Sequence, residues 1–204
     1  VRRGLPTLMA GIPGQAAGQG ISQPTHVFVQ AGVGALAASV AGYYRKLFGE
    51  RRPTVAVVEP DKAACLYESV ERDDGRPHSV AGTLDTIMAG LACGDPSPLA
   101  REVLSRCADF FLACPDFVAA KGMRVYGVPV AGDPFIVSGE SGAVTLGALT
   151  YVCEYEGLAD LKRKLRLGPD SQILLINTEG NTDPDHFRRV VWEGGVPVPK
   201  EFRR

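Results

Sequence analysis

The sequence has no CxxC pair, no long run of like charge and no apolar stretch of transmembrane length. No histidine lies near a cysteine at the spacing that metal ligands require, so neither zinc nor another metal is expected. The net charge is −1, from 22 basic and 23 acidic residues, which argues against nucleic acid or an acidic membrane surface as a partner. No apolar run reaches the roughly 18 residues of a membrane span, and no signal peptide is recognisable. We therefore expect a cytoplasmic protein that acts on a small molecule.

The five cysteines also fit poorly with a secreted disulfide framework, because their number is odd. They are Cys65, Cys93, Cys107, Cys114 and Cys153. We expect reduced thiols, and the alternative is a pair such as Cys65 with Cys93 that can oxidise. The chain begins at Val1 and enters apolar, glycine-rich sequence at once, so we expect one piece of a longer polypeptide.

What the sequence does have is apolar runs that alternate with helical patterns. Strands are predicted at residues 26–30, 54–59 and 172–177. Helices are predicted at 34–48, 98–111, 117–125, 138–155 and 158–165, and a short one after Pro60 that includes residues 63–66. With 204 residues, 45% of them hydrophobic, the chain can bury one sizeable core. No repeat or linker divides it. The pattern predicts an α/β fold of three layers, with a doubly wound, mostly parallel sheet that extends over residues 1–204 as one unit.

Residues 30–37, QAGVGALA, form a glycine-rich turn between the first strand and its helix. Such a turn suits phosphate, because backbone N–H groups lack partners there and the helix dipole favours negative charge. Taken alone, it can equally be a tight strand–helix junction. It lacks the third glycine of a dinucleotide fingerprint, since Ala37 stands there, and the Lys-Ser/Thr of a nucleoside-triphosphate loop. Glu59, at the end of the next strand, could bind a ribose, so a nucleotide-binding module remains open.

Five segments together carry a family resemblance. They are QAGVGALA at 30–37, VVEPDKAAC at 57–65, TLDTIMAGLACGDPSPLA at 83–100, SGESGAVTLGAL at 138–149 and INTEGNTDPDH at 176–186. From about residue 24 to 198 the chain resembles the C-terminal portion of the diaminopropionate ammonia-lyases. These belong to the tryptophan-synthase-like, fold-type II enzymes that use pyridoxal 5'-phosphate (PLP). The resemblance implies the cofactor-binding large domain of such an enzyme.

The resemblance also implies which residues hold PLP. The cofactor phosphate is expected on Gly32, Val33, Gly34, Ala35 and Leu36. The cofactor ring nitrogen is expected to meet the hydroxyl of Thr178, which would leave that nitrogen largely unprotonated and favour β-elimination over transamination. Glu140 is expected near the ring, or else as a helix N-terminal charge. Glu179 replaces the glycine that related dehydratases carry, so its direction stays open.

None of the lysines in this chain is recognisable as the catalytic lysine that PLP chemistry requires. Its lysines are Lys46, Lys62, Lys121, Lys162, Lys164 and Lys200. All read as solvated side chains, and in the family the lysine of EPDKA is not the Schiff-base residue. The resemblance implies that this lysine and the acid–base aspartates lie upstream of Val1. We therefore assign no catalytic residue within residues 1–204.

The activity that the resemblance implies for the complete enzyme is α,β-elimination of 2,3-diaminopropionate to pyruvate and ammonia, carried out by a homodimer. Ala89 stands where serine and threonine dehydratases often have aspartate, which argues against a plain dehydratase. Two alternatives remain open: a serine/threonine dehydratase-like enzyme, and a catalytically silent remnant that binds phosphate.

Overall fold

The computed structural model of the chain describes residues 5–18 and 20–203. Eight α-helices and four strands lie in this described part. In chain order they are α1 (Leu5–Gly18), β1 (His26–Gln30), α2 (Ala35–Phe48), β2 (Thr54–Pro60), α3 (Cys65–Glu71), α4 (Pro98–Cys107), β3 (Phe110–Cys114), α5 (Asp116–Gly127), α6 (Glu140–Glu154), α7 (Ala159–Leu165), β4 (Ile173–Leu175) and α8 (Pro184–Val191). None of these helices is both long and apolar enough to cross a bilayer.

The four strands of the described residues form one sheet in which every pairing is parallel. Its order is β3-β2-β1-β4, so β1 lies between β2 and β4. His26 of β1 is aligned with Thr54 of β2 and with Ile173 of β4. Because the strands are parallel, their carboxyl ends meet at one edge of the sheet, where ligands bind in open α/β folds. The predicted α/β class and parallel sheet are confirmed.

Helices cover both faces of the sheet. On one face, the β1 side chains Val27 and Val29 pack with Ala37 and Val40 of α2, in a cluster that also holds residues of α1 and α4. On the other face, Phe28 packs in a cluster with residues of α5 and α6. A strand that is covered on both sides is apolar on both faces of its middle part, which explains why residues 27–29 show no polar alternation. These layers make the fold doubly wound.

Glycines allow α5 and α6 to approach until their backbones touch. A Cβ atom added to Gly147 would lie 1.9 Å from the carbonyl oxygen of Val118, and one added to Gly122 would lie 2.0 Å from that of Ala143. Neither position has room for any side chain. The small residues of the predicted helix at 138–155 therefore serve close packing, which fixes α6 against the rest of the domain.

The helix predicted at residues 98–111 is wrong at its end. α4 ends at Cys107, and Phe110–Cys114 form β3 instead. Asp109 causes the change, because its carboxylate accepts hydrogen bonds from the backbone N–H of Val55 at 2.8 Å and from both terminal nitrogens of Arg52. These bonds attach the chain to the start of β2, and the next residues continue as a strand. Two further helices, α1 and α8, were not anticipated.

Candidate functional site

The glycine loop joins β1 to α2 at the carboxyl edge of the sheet. Gly34 is the N-terminal cap of α2 and has a left-handed backbone, with φ of 93°. In the described part of the chain, the backbone N–H groups of residues 32–36 donate to no acceptor, as expected at a helix N-terminus. The positive end of the helix dipole lies at the same place. The loop therefore presents a set of free donors in a weakly positive field.

Close contacts hold this loop in place from behind. A Cβ atom on Gly34 would lie 3.0 Å from Leu66 Cδ1 and 3.1 Å from the Cβ of Ala100. A Cβ on Gly32 would lie 3.1 Å from the sulfur of Cys93. Glycine is required at position 34 for two reasons, namely the positive φ and the lack of space.

Thr178 faces the loop from the neighbouring strand. It follows β4 by three residues, and β4 is paired with β1, so their carboxyl ends adjoin. The side-chain amide of Gln30, the last residue of β1, donates from Nε2 to Thr178 Oγ1 at 3.1 Å. Thr178 itself is exposed, so its hydroxyl remains within reach of a ligand.

The N-terminus of α6 forms the third side of the site. Its cap residue, Gly139, has no side chain, and the Glu179 carboxylate takes over the capping role by accepting from the N–H of Gly142 at 3.0 Å. A Cβ on Gly139 would lie 2.7 Å from the carboxyl carbon of Glu179. The direction of Glu179, left open by its sequence, is therefore towards α6, where its charge also complements the helix dipole.

A cavity of about 320 Å³ lies where these three elements meet. Its lining residues are Gln30, Ala31, Gly32, Val33, Gly34, Ala35, Leu36, Gly90, Leu91, Cys93, Ser141, Thr178 and Glu179. The structure thus brings the five predicted loop residues and Thr178 to one cavity. Gln30 Oε1 and Ser141 Oγ are buried without a hydrogen-bond partner among the described residues. Such unpaired groups beside a cavity mark a place where a ligand can complete the hydrogen bonding.

Glu140 does not line this cavity. It is nearly buried, and its carboxylate is hydrogen-bonded to Nδ1 of His186, two residues into α8. The next residue, Ser141, lines the cavity in its place. Whether Glu140 contributes to cofactor binding stays a prediction.

Glu59 is not available to a ribose. It is fully buried, and its two carboxylate oxygens accept from the backbone N–H groups of Leu66 and Tyr67 at 2.9 and 2.8 Å. Burial raises the pKa of the Glu59 carboxyl to about 7, and the two backbone donors only partly oppose this rise. Glu59 thus caps α3 from within the core, which removes the residue that favoured a nucleotide-binding module.

No lysine is among the residues that line the cavity. Lys62, which follows β2, is half exposed and pairs with Asp116 at 3.5 Å. The cysteines next to the loop are free thiols, and burial raises the pKa of the Cys65 thiol to about 12, so it is not a nucleophile at neutral pH.

Sequence reasoning missed several of the lining residues. Gln30 ends the run HVFVQ, and a polar residue at the end of a buried strand was a usable signal. Ser141 adjoins Glu140, which was singled out, but the direction of the Ser141 side chain depends on how α6 meets β4. Gly90 has no local signal of its own, because its place at the cavity depends on α6, where the Ser141 hydroxyl would lie 3.0 Å from a Cβ at position 90.

The residues around the cavity fit a phosphate ester on an aromatic ring. The free N–H groups of the loop suit the phosphate, and the Thr178 hydroxyl on the opposite side suits a ring heteroatom. Glu179, which also lines the cavity, is negatively charged, and its Oε2 accepts from the backbone N–H of Gly142, which partly offsets that charge.

Comparison with known proteins agrees with this chemistry. The chain is 51% identical to the diaminopropionate ammonia-lyase of Escherichia coli (strain K12) over 171 residues, which are 84% of this chain and 42% of that protein. A crystal structure of holo diaminopropionate ammonia lyase from Escherichia coli superimposes with a TM-score of 0.87 at 46% identity, over 96% of this chain and 48% of that one. A second structure of the Escherichia coli protein contains an aminoacrylate-PLP azomethine reaction intermediate, with a TM-score of 0.86, 46% identity, and coverage of 96% and 49%.

The chain thus spans about half the length of the relatives it matches. The family model described as pyridoxal-phosphate dependent enzyme matches residues 9–179, a range that includes the glycine loop, the start of α6 and Thr178. This match covers most of the chain. The chain therefore belongs to the family of pyridoxal-phosphate-dependent enzymes.

Proposed function

We propose that this chain is the cofactor-holding part of an ammonia-lyase that eliminates ammonia from 2,3-diaminopropionate and yields pyruvate. The observation that carries the proposal is the cavity, in which free N–H groups at the start of α2 face the Thr178 hydroxyl across a space of about 320 Å³. The name of the 51% identical relative supplies the substrate, and the intermediate named in the second crystal structure supports elimination chemistry.

The chain's own residues bind and orient the cofactor. The N–H groups of residues 32–36 bind its phosphate, aided by the dipole of α2, and Thr178 contacts the ring nitrogen. PLP, when bound, supplies an electron sink for the negative charge that develops on the substrate. Glu140 is retained as a predicted neighbour of the cofactor, because it adjoins Ser141 at the start of α6. The apolar layers beneath the sheet edge keep water from reaching the loop from behind.

The lysine that joins the cofactor must come from outside residues 1–204 of the same polypeptide. The two lysines of α7 lie in a charged, exposed helix, and Lys121 lies near Glu154 at 4.0 Å, beside a different cavity. None of them lines the cofactor cavity. We further propose that the complete enzyme is a cytoplasmic homodimer.

Borohydride reduction tests the division of roles. The full polypeptide that carries this chain is loaded with PLP, reduced and digested, and the pyridoxyl-lysine peptide is mapped. We expect the label outside residues 1–204. A stoichiometric label on any of the six lysines of this chain would contradict the proposal.

The substrate is tested with the same preparation. Release of pyruvate and ammonia is measured with 2,3-diaminopropionate, and release of the corresponding keto acids is measured with serine and threonine. We expect the highest kcat/KM for diaminopropionate. A preference for serine or threonine would favour the dehydratase alternative, and no turnover of any of them by a PLP-loaded protein would favour the silent remnant.

A further inference from the structure

Gln30 lines the cofactor cavity, and no role has yet been given to it. It is the last residue of the central strand β1 and is 2% exposed. Its Nε2 donates to Thr178 Oγ1 at 3.1 Å, and its Oε1 has no partner among the described residues. A buried amide with an unpaired oxygen is unfavourable unless something else uses it. Its place beside a ligand cavity calls for a function.

We propose that Gln30 is a positioning residue that sets the direction of the Thr178 hydroxyl. A hydroxyl has one proton to donate and two lone pairs that accept. Because Nε2 of Gln30 donates to Thr178, one lone pair is occupied and the hydroxyl proton is excluded from the side of Gln30, which directs it away from β1 towards the ligand. Thr178 then offers its O–H to the ring nitrogen, which must accept and is held unprotonated. This inference rests on the proposed function, since it concerns the same cavity.

The orientation of the Gln30 amide follows from the hydrogen bonds around it. Reversing the amide would place Oε1 next to Thr178 and would bury both N–H groups of Nε2 without an acceptor. Unpaired buried N–H groups are rarer than unpaired carbonyl oxygens, which still have some capacity to remain under-satisfied. The observed orientation is therefore the less costly one, and it is the one that leaves the Thr178 proton free.

The position of Gln30 makes the arrangement rigid. Along β1, Phe28 and Gln30 are on the same face of the sheet, and Phe28 is fully buried in the cluster beneath α6. Strand β1 is paired with β4 as far as Phe28 and with β2 as far as Gln30, so β2 still holds its carboxyl end in place. A loop residue could not hold a hydroxyl in one direction so well.

Nitrogen-15 NMR of the holoenzyme tests the inference. The enzyme is prepared with PLP labelled at the ring nitrogen, and the resonance is recorded across a pH series. We expect the wild-type resonance at the unprotonated position at every pH. The variant Gln30→Met has a side chain of similar length without hydrogen bonds, so the Thr178 proton can turn towards position 30 and leave both lone pairs to accept from a protonated ring nitrogen. Its resonance should move upfield as the pH falls, because the ring nitrogen can now bind a proton.

Thr178→Ser is the matched control, since it keeps the hydroxyl and should keep the wild-type resonance. A pH-independent, unprotonated resonance in Gln30→Met would overturn the inference, because Gln30 would then act only in packing. A protonated ring nitrogen in the wild type would also overturn the inference. Because PLP would still be bound in that case, the proposed function would stand. This wild-type measurement decides the question even if Gln30→Met does not fold. Failure of the wild type to bind PLP would refute both.

Discussion

Replacing Gly34 with alanine should weaken both the fold and the binding of phosphate. A left-handed backbone costs a non-glycine residue about 1 to 2 kcal/mol. The new Cβ would also lie 3.0 Å from Leu66 Cδ1 and 3.1 Å from the Cβ of Ala100. The end of the Leu66 side chain can turn away, but the Cβ of Ala100 is attached directly to the backbone of α4 and cannot. The resulting overpacking destabilises the fold by about a further 1 to 2 kcal/mol. The expected loss in the free energy of unfolding is about 2 to 4 kcal/mol.

The loss of binding has a separate cause. Relief of the strain at position 34 rotates the peptide groups on either side, and their N–H groups no longer converge on one point. Losing one charge-assisted hydrogen bond weakens binding by about 1.5 to 3 kcal/mol, which is about tenfold or more in Kd. The ligand for this measurement is pyridoxamine phosphate, which needs no lysine, with pyridoxamine as the phosphate-free comparison.

Gly42→Ala is the matched control within the same helix. Gly42 lies inside α2, and its Cβ would be 3.6 Å from Val103 Cγ1, an ordinary contact. Alanine in a helix interior is favoured over glycine by about 0.5 to 1 kcal/mol, so this variant should be slightly more stable and bind normally. Urea unfolding and calorimetric titration measure both variants. The reasoning is refuted if Gly34→Ala is as stable as Gly42→Ala, or if the two bind pyridoxamine phosphate equally.

Three other perturbations have defined outcomes. Gly147→Ala should cost about 4 kcal/mol or more, because its Cβ would lie 1.9 Å from the Val118 carbonyl oxygen; a native-like unfolding transition would contradict the helix contact. The folded Glu59 carboxyl keeps its proton up to about pH 7, whereas in the unfolded chain it ionises near pH 4.5, so unfolding releases a proton between these values. The free energy of unfolding should therefore fall by about 3 kcal/mol from pH 4.5 to 7 in the wild type relative to Glu59→Gln, and parallel curves would disprove the burial effect. Glu179→Ala should remove the cap of α6 and lower the free energy of unfolding, measured in urea, by about 1 kcal/mol. An unchanged free energy of unfolding would show that this cap does not stabilise α6.

The parts of the fold that were predictable are those in which local pattern and tertiary position agree. Residues 27–29 are apolar because both faces of β1 are covered, and the following helix shows its periodicity because one side packs on the sheet. β3 was missed because Phe110 and Phe111 continue the spacing of α4. The helix ends because the Asp109 carboxylate accepts hydrogen bonds from Arg52 and Val55, which are more than 50 residues away in the sequence.

Some residues of the candidate site could be predicted from the sequence, whereas their contacts could not. Glycines at 32 and 34 signal a tight turn by themselves, and the family resemblance pointed to Thr178. The partner of Thr178 could not be read from the sequence, because Gln30 meets it only after β1 and β4 pair. Glu140 illustrates the converse, since its charge was visible in the sequence, but its hydrogen bond to His186 depends on where α8 docks.

The pairing of β1 with β4 also bears on the order in which the protein folds. The hydrogen bond from Gln30 to Thr178 joins residues 148 positions apart. Closing a loop of that length costs about 4 kcal/mol of chain entropy before any contact compensates for it. Such contacts form late, so the β1–α2–β2 segment can assemble first and the cavity is completed only when β4 arrives. The glycine loop and Thr178 are therefore brought together in the last step of folding. A ligand that contacts both of them can bind only to the completely folded domain.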